Sequence, residues 1–211
     1  GFGAPGVRAQ PTDAAVGAAL ARAGHDRVLS VAPGALRKRH ADAQVYLAGI
    51  GKGYGADHIG RALKSLGVRD FMVEIGGDIY AAGRNPDGQP WRIGIETPRA
   101  LGSGVFETVG VTDLGLASSG DYRNFIDHDG ERFTHVIDPA TGQPITHATA
   151  SATVLAENAM LADAWSTAML TLGSERGLEI ADAQGVAVLF IDRDGDGFTA
   201  QRSARFDALA S

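Results

Sequence analysis

Gly49, Gly51, Gly53 and Gly55 alternate around Lys52, and a run with helical periodicity follows at once. A backbone stripped of side chains where a helix opens constrains the fold on both sides. The start of a helix offers unpaired N–H groups and the positive end of its dipole, and glycine lets a ligand or a second backbone come close. Two readings follow: a cradle for a phosphate, or a glycine-rich turn with no ligand. The stretch is not a nucleoside-triphosphate loop, because no Ser or Thr follows Lys52, and not a dinucleotide fingerprint, because Tyr54 stands three residues after Gly51. Beyond it Ile59, Ala62, Leu63 and Leu66 fall on one face of a helix predicted from Ala56 to Leu66, with Gly67 as its stop.

A chain of 211 residues that is 44% hydrophobic can bury a sizeable core as one large domain or two small ones. Its net charge of −6 argues against a nucleic-acid partner. The one basic cluster, Arg37-Lys38-Arg39-His40, reads as a solvated loop. The longest apolar run, Val186 to Ile191, is far short of the ~20 residues of a membrane span. No targeting peptide is visible, and without cysteine there is neither a disulfide nor a zinc–thiolate site.

Taken in order, Gly1 to Gly6 reads as loop, and Pro11-Thr12-Asp13 starts a helix running to about Ala23. Strands are expected at Val28 to Val31 and Ala43 to Leu47, around a Pro33-Gly34 turn. Phe71 to Ile75, Ile79 to Ala82 and Trp91 to Glu96 are further strands, followed by two between Val105 and Leu116 broken at Gly110. Phe125 to His128 and Arg132 to Ile137 flank Asp129-Gly130, a hairpin signal. A strand at Ala152 to Leu155 precedes helices from Asn158 to Leu172 and from Glu175 to Gln184, each closed by glycine, and Val186 to Ile191 with Phe198 to Arg202 make a last hairpin. The expected class is α+β. Asp192 to Gly197 mimics a calcium loop but lacks the glutamate at position twelve and reads as a hairpin turn.

The helix from Asn158 to Leu172 carries a single charge, Asp163. At about 100° per residue Leu161, Trp165, Ala168 and Leu172 share one face, whereas Asp163 and Thr167, one turn apart, lie nearly opposite among Met160, Ala162 and Leu170. That face is predicted to be covered, and a covered carboxylate needs a partner. The pair is either a hydrogen-bonded lock between two elements or two hard oxygens aimed at one cation. His135 suits a general base near neutral pH or a structural role. Asp78 after Gly76-Gly77 and Asp121 after Ser118-Ser119-Gly120 read as turn residues first and site residues second.

Together these residues resemble the ApbE family of FAD:protein FMN transferases. The resemblance rests on Gly49-Ile50-Gly51-Lys52-Gly53-Tyr54 with Asp57, Gly76-Gly77-Asp78, Gly88-Gln89-Pro90-Trp91-Arg92, and Ser118 to Arg123. It continues in His135-Val136-Ile137-Asp138-Pro139 with Thr141-Gly142 and Pro144, and in Met160, Ala162-Asp163 and Thr167-Ala168, all in the family's order.

The resemblance implies an ApbE-like, T-fold-like architecture of mixed or antiparallel sheets with packed helices, one flavin transferase domain over residues 1–211, and the C-terminal portion of a longer protein. It implies an enzyme that binds FAD and Mg2+ and transfers FMN through a phosphoester bond onto a Thr or Ser hydroxyl of another protein, releasing AMP. Carried over by position, the metal ligands are the Gly51 backbone oxygen, Asp163 and Thr167. Ala48, Tyr54 and Ile137 contact FAD, and His135 is the base toward the acceptor hydroxyl. Lys52 and backbone amides near Gly53 are expected to face phosphate. The acceptor would be a membrane respiratory or electron-transfer subunit with a Ser/Thr-Gly-Ala-Thr-like motif, and the site of action the periplasm. Tyr46 departs from the family, which usually has Asp there. The alternatives are a flavin-binding or flavin-donating module without transfer, and a Mg2+-dependent FAD pyrophosphatase.

Overall fold

Helix starts carry their own signals here. Thr12 Oγ1 accepts from the Ala15 N–H at 3.3 Å, Asn158 Oδ1 from the Leu161 N–H at 2.8 Å, and Ser203 Oγ from the Phe206 N–H at 3.3 Å. Each satisfies a donor that a helix start leaves without a partner. The computed structural model describes residues 11–99, 104–122, 125–128 and 131–210. Gly1 to Gly6, Arg123 and the Asp129-Gly130 turn lie outside them.

In chain order the elements are α1 (Asp13–Leu20), α2 (His25–Val28), β1 (Leu29–Ala32), β2 (Ala35–Lys38), α3 (Gly51–Ser65), β3 (Phe71–Ile75), β4 (Asp78–Ala82), β5 (Trp91–Glu96) and β6 (Val105–Val111). They continue with β7 (Leu114–Gly120), β8 (Phe125–His128), β9 (Glu131–Thr134), β10 (Thr149–Ala156), α4 (Ala159–Gln184), β11 (Ala187–Asp194), β12 (Gly197–Arg202) and α5 (Ala204–Leu209). The class is the expected α+β, and every strand pair is antiparallel. Among the described residues no helix is long and apolar enough to cross a membrane.

The chain forms two compact units. The first comprises Gly1–Tyr46 and Asn124–Thr146. It holds α1, α2, the β1–β2 and β8–β9 hairpins, and a bridge between Ile137 and Pro144. The strand expected at Ala43 to Leu47 is absent: β1 pairs with β2 across Pro33-Gly34, and the basic cluster begins on that second, exposed arm.

The second unit, Leu47–Arg123 and His147–Ser211, is built on a six-stranded sheet of order β12-β11-β10-β7-β4-β3. Ile79, Ala81, Leu116, Leu155, Leu189 and Ile191 pack with Ile93, Ile95, Val109 and Val111 of the β5–β6 hairpin and with Phe206 of α5. The helices α3 and α4 pack against each other and against strands of the sheet. Gly110 lies inside β6 rather than at the expected break; the chain turns instead at Asp113, whose φ is 53°. α4 fuses the two predicted helices, and the stop at Gly173 survives as an interruption with φ 76° and ψ 168°.

From Gly51 onward the glycine stretch is itself helical, and at Gly53 the missing side chain admits the backbone of α4. A Cβ at Gly53 would lie 2.2 Å from the Ala159 carbonyl oxygen, and one at Gly115 of β7 would lie 2.3 Å from the Ala159 nitrogen. The first turn of α4 is thus wedged between two positions where only glycine fits. Asp57 completes the junction by accepting from the Ala159 N–H at 2.8 Å and the Met160 N–H at 3.0 Å. A carboxylate on two unpaired donors at a helix N-terminus is favoured by charge as well as by hydrogen bonding, and leaving either donor bare costs about 1–3 kcal/mol. The buried face of α3 is therefore Gly53, Ala56, Asp57 and Gly60. The larger apolar stripe picked out by periodicity is not the covered one, since Leu66 is 78% and Ile59 44% exposed.

Candidate functional site

The packing of α3 on α4 brings the glycine stretch against Asp163. Its carboxylate is 2% exposed, and Oδ2 accepts from the Gly53 N–H at 3.2 Å. The other oxygen, Oδ1, stands 3.6 Å from Lys52 Nζ. Lys52 in turn donates to Oδ2 of Asp78, a second buried carboxylate. Asp78 is placed there by the tight β3–β4 turn at Gly76-Gly77, both with positive φ (56° and 92°), which sets it at the first position of β4. The Gly53 amide, expected among those facing phosphate, is thus taken by the Asp163 carboxylate, and the Lys52 ammonium uses one of its three donors on Asp78.

Two buried carboxylates around one ammonium leave unbalanced negative charge. Burial pushes the Asp78 carboxyl up from 3.8 to about 6, against the pull of Lys52 and with the help of the Asp163 carboxylate beside it. Folded Asp78 keeps its proton to about pH 6, whereas the unfolded carboxyl loses it near 3.8. Its contribution to stability is therefore complete below about 3.8 and lost as pH rises through about 6. In chelator-treated protein, the unfolding free energy from denaturant titrations should fall between about pH 4 and 7 by roughly 2 kcal/mol more for the wild type than for Asp78→Asn. Parallel pH dependences would show that Asp78 titrates as an ordinary carboxylate.

Thr167, one turn along α4 from Asp163, is exposed. A Cβ on Gly49 would lie 3.1 Å from Thr167 Oγ1, so a side chain there would crowd the hydroxyl. Ser119 Oγ on β7 lies 3.3 Å from Thr167 Oγ1 and 2.9 Å from Ser166 Oγ. Gly51 occupies the first position of α3, so its carbonyl carries the usual helical bond and has one lone pair left over.

Among the described residues no cluster of three or more His, Cys, Asp or Glu stands at metal-binding spacing. A cation here would rest on few carboxylates, neutral oxygens and its own waters or a phosphate. Mg2+ is bound in that way, and the excess negative charge on Asp78 and Asp163 suits a divalent ion. The donor set fits.

Of the residues expected to meet FAD, Ala48 is exposed on the turn before α3. Tyr54 is exposed on α3, its ring stacked on His58 at 6.0 Å with the Arg61 guanidinium 5.6 Å from its centroid. Gly51, Asp163, Thr167, Ala48 and Tyr54 thus belong to one unit. His135 and Ile137 belong to the other, where His135 is exposed just after β9 and Ile137 pairs with Pro144. Tyr46, also in that unit, is exposed and donates its hydroxyl to Gln44. Sequence reasoning ranked Asp78 as a turn residue first and a site residue second, and gave Ser119 no role. Asp78 carried a usable signal, since a carboxylate at the start of an apolar strand is a buried charge in need of a partner.

The ApbE family model matches residues 1–190. The FAD:protein FMN transferase of Haemophilus influenzae is 46% identical over 169 residues, covering 79% of this chain and 49% of the relative. That of Escherichia coli K12 is 39% identical over 174 residues, 82% of this chain and 50% of the relative. The chain spans about half the length of these curated relatives. The flavin transferase ApbE from Vibrio cholerae superposes with a TM-score of 0.85 at 39% identity, covering 96% of this chain and 64% of that one. Pseudomonas stutzeri flavinyl transferase ApbE in its apo form gives 0.83 at 39%, covering 96% and 62%.

Proposed function

Because this chain belongs to the ApbE family, we propose that it transfers FMN from FAD to a Ser or Thr hydroxyl of an acceptor protein. The observation that carries the proposal is the union of Asp163, Lys52 and Asp78 at the glycine stretch, one helical turn from the exposed Thr167, whose hydroxyl a side chain at Gly49 would crowd. In the proposed reaction the acceptor oxygen bonds to the FMN phosphorus and the bond to the AMP phosphate breaks. AMP leaves with the electron pair of the bridging oxygen, and the acceptor's proton goes to a base.

Asp163, Thr167 and the free lone pair of the Gly51 carbonyl would hold Mg2+, which when bound supplies positive charge to the pyrophosphate oxygens. The Gly53 N–H fixes the Asp163 carboxylate, and the Lys52 ammonium keeps Asp78 and Asp163 together. Tyr54 offers an exposed ring for stacking on the flavin, with Ala48 and Ile137 as further contacts. His135, exposed and next to the Ile137 bridge, would take the acceptor's proton. The proposed acceptor is a membrane electron-transfer subunit with a Ser/Thr-Gly-Ala-Thr-like motif, and the proposed compartment is the periplasm, both by family resemblance.

Chromatography of nucleotide products separates this reaction from its rivals. Protein, FAD and Mg2+ should release AMP only when a peptide containing Ser-Gly-Ala-Thr is added. AMP with free FMN in the absence of peptide would instead mark a pyrophosphatase, and bound FAD with no AMP a flavin-binding module.

A further inference from the structure

Three hydroxyls at the base of the site form a chain whose direction is fixed by proton counting. Ser166 Oγ lies 3.0 Å from the Asp163 main-chain carbonyl, which can only accept, so the proton in that bond belongs to Ser166. A hydroxyl has one proton. Ser166 must therefore accept in its 2.9 Å bond with Ser119, and the donor there is Ser119. With that proton committed, Ser119 accepts in its 3.3 Å bond with Thr167, and Thr167 donates. The proton of Thr167 is held toward β7, and its lone pairs are left for whatever lies over the exposed side of the residue.

Thr171, one turn further along α4, shows the default. Its hydroxyl folds back onto the Thr167 carbonyl at 2.8 Å, as threonines in helices commonly do. Thr167 is held otherwise because Ser119 reaches it from β7, whose backbone is paired there with β10. Ser119 itself stands opposite Ala152 in that register.

We infer that Ser119 is a positioning residue that sets the Thr167 hydroxyl as a lone-pair donor to a hard divalent cation. The inference rests on the proposed metal site. Groups that orient a ligand by hydrogen bonding typically govern metal affinity by 10–100-fold. Ser166 anchors the far end: without it, Ser119 is free to donate to Thr167 and turn a lone pair away from the cation.

Mn2+ binding, followed by the loss of the free-ion electron paramagnetic resonance signal in the presence of FAD, tests this without reference to turnover. Ser119→Ala should weaken Mn2+ binding by roughly tenfold, and Ser119→Thr, which keeps the hydroxyl, should return it toward the wild type. Ser166→Ala should weaken it as well, which covers the case of a poorly folding Ser119→Ala. In a Thr167→Ala background Ser119→Ala should have no further effect, whereas a merely structural Ser119 would weaken both backgrounds alike. Wild-type affinity in Ser119→Ala and Ser166→Ala, or additive losses with Thr167→Ala, would overturn the positioning role alone. Undiminished binding in Asp163→Ala would overturn the metal site and the positioning role together.

Discussion

Asp163→Ala should lower FMN transfer by about a hundredfold to a thousandfold, the usual loss when a group that stabilises transition-state charge is removed, while the protein stays folded. The expected stability cost is modest for a buried charge. The Gly53 N–H loses its acceptor, about 1–3 kcal/mol. Against this, the like-charge contact that helps hold Asp78 at about 6 disappears, and Lys52 is left to Asp78 alone. Circular dichroism and a cooperative thermal transition should therefore survive, and Mn2+ binding should not. Transfer rates within a few-fold of wild type would remove Asp163 from the chemistry and leave it a lock between α3 and α4.

Gly53→Ala should be severely destabilising for a single added methyl group. Its Cβ would lie 2.2 Å from the Ala159 carbonyl oxygen and 2.8 Å from the Met160 Cα, all backbone atoms that cannot rotate away. α3 would have to lift from α4, stretching the two Asp57 bonds and the Gly53–Asp163 bond together. A loss of about 3 kcal/mol or more is expected in chemical denaturation. Gly51→Ala is the control, since no other atom comes within 4 Å of its Cβ and alanine favours the helix by up to about 1 kcal/mol. If both substitutions destabilise alike, the close approach of the helices is not what selects glycine at 53.

These contrasts show which features could be read before the fold was known. Helix ends were legible at Thr12, Asn158, Gly173 and Gly185 because capping chemistry is local and a few residues decide it. The last hairpin was legible for the same reason, in its Asp-Gly turn, which falls at Gly195. The buried face of α3 was not. Hydrophobic periodicity weights large side chains, so it selects Ile59 and Leu66 over Gly53, Ala56 and Gly60, whose value lies in how near they let α4 come. Gly110 misled in the same way: glycine permits a turn without requiring one, and the turn fell at Asp113.

At the site, Asp163 stood out as one charge on an otherwise uncharged helix, and its burial matches the covered face expected there. Thr167 was expected to be covered with it and is instead exposed. Asp78, read as a turn residue first and a site residue second, and Ser119, given no role, were underestimated because their roles depend on partners far away in sequence. Asp78 needs Lys52 and Asp163, and Ser119 needs Ser166 and Thr167.

Tandem mass spectrometry of a Ser-Gly-Ala-Thr peptide incubated with the protein and FAD, with Mg2+ in one sample and chelator in the other, decides whether this site transfers flavin. The expected spectrum places FMN on a hydroxyl of the peptide through a phosphoester, only when Mg2+ is present, and loses it when Asp163 is replaced by Ala. A peptide that stays unmodified with FAD and Mg2+ present would contradict the proposed transfer.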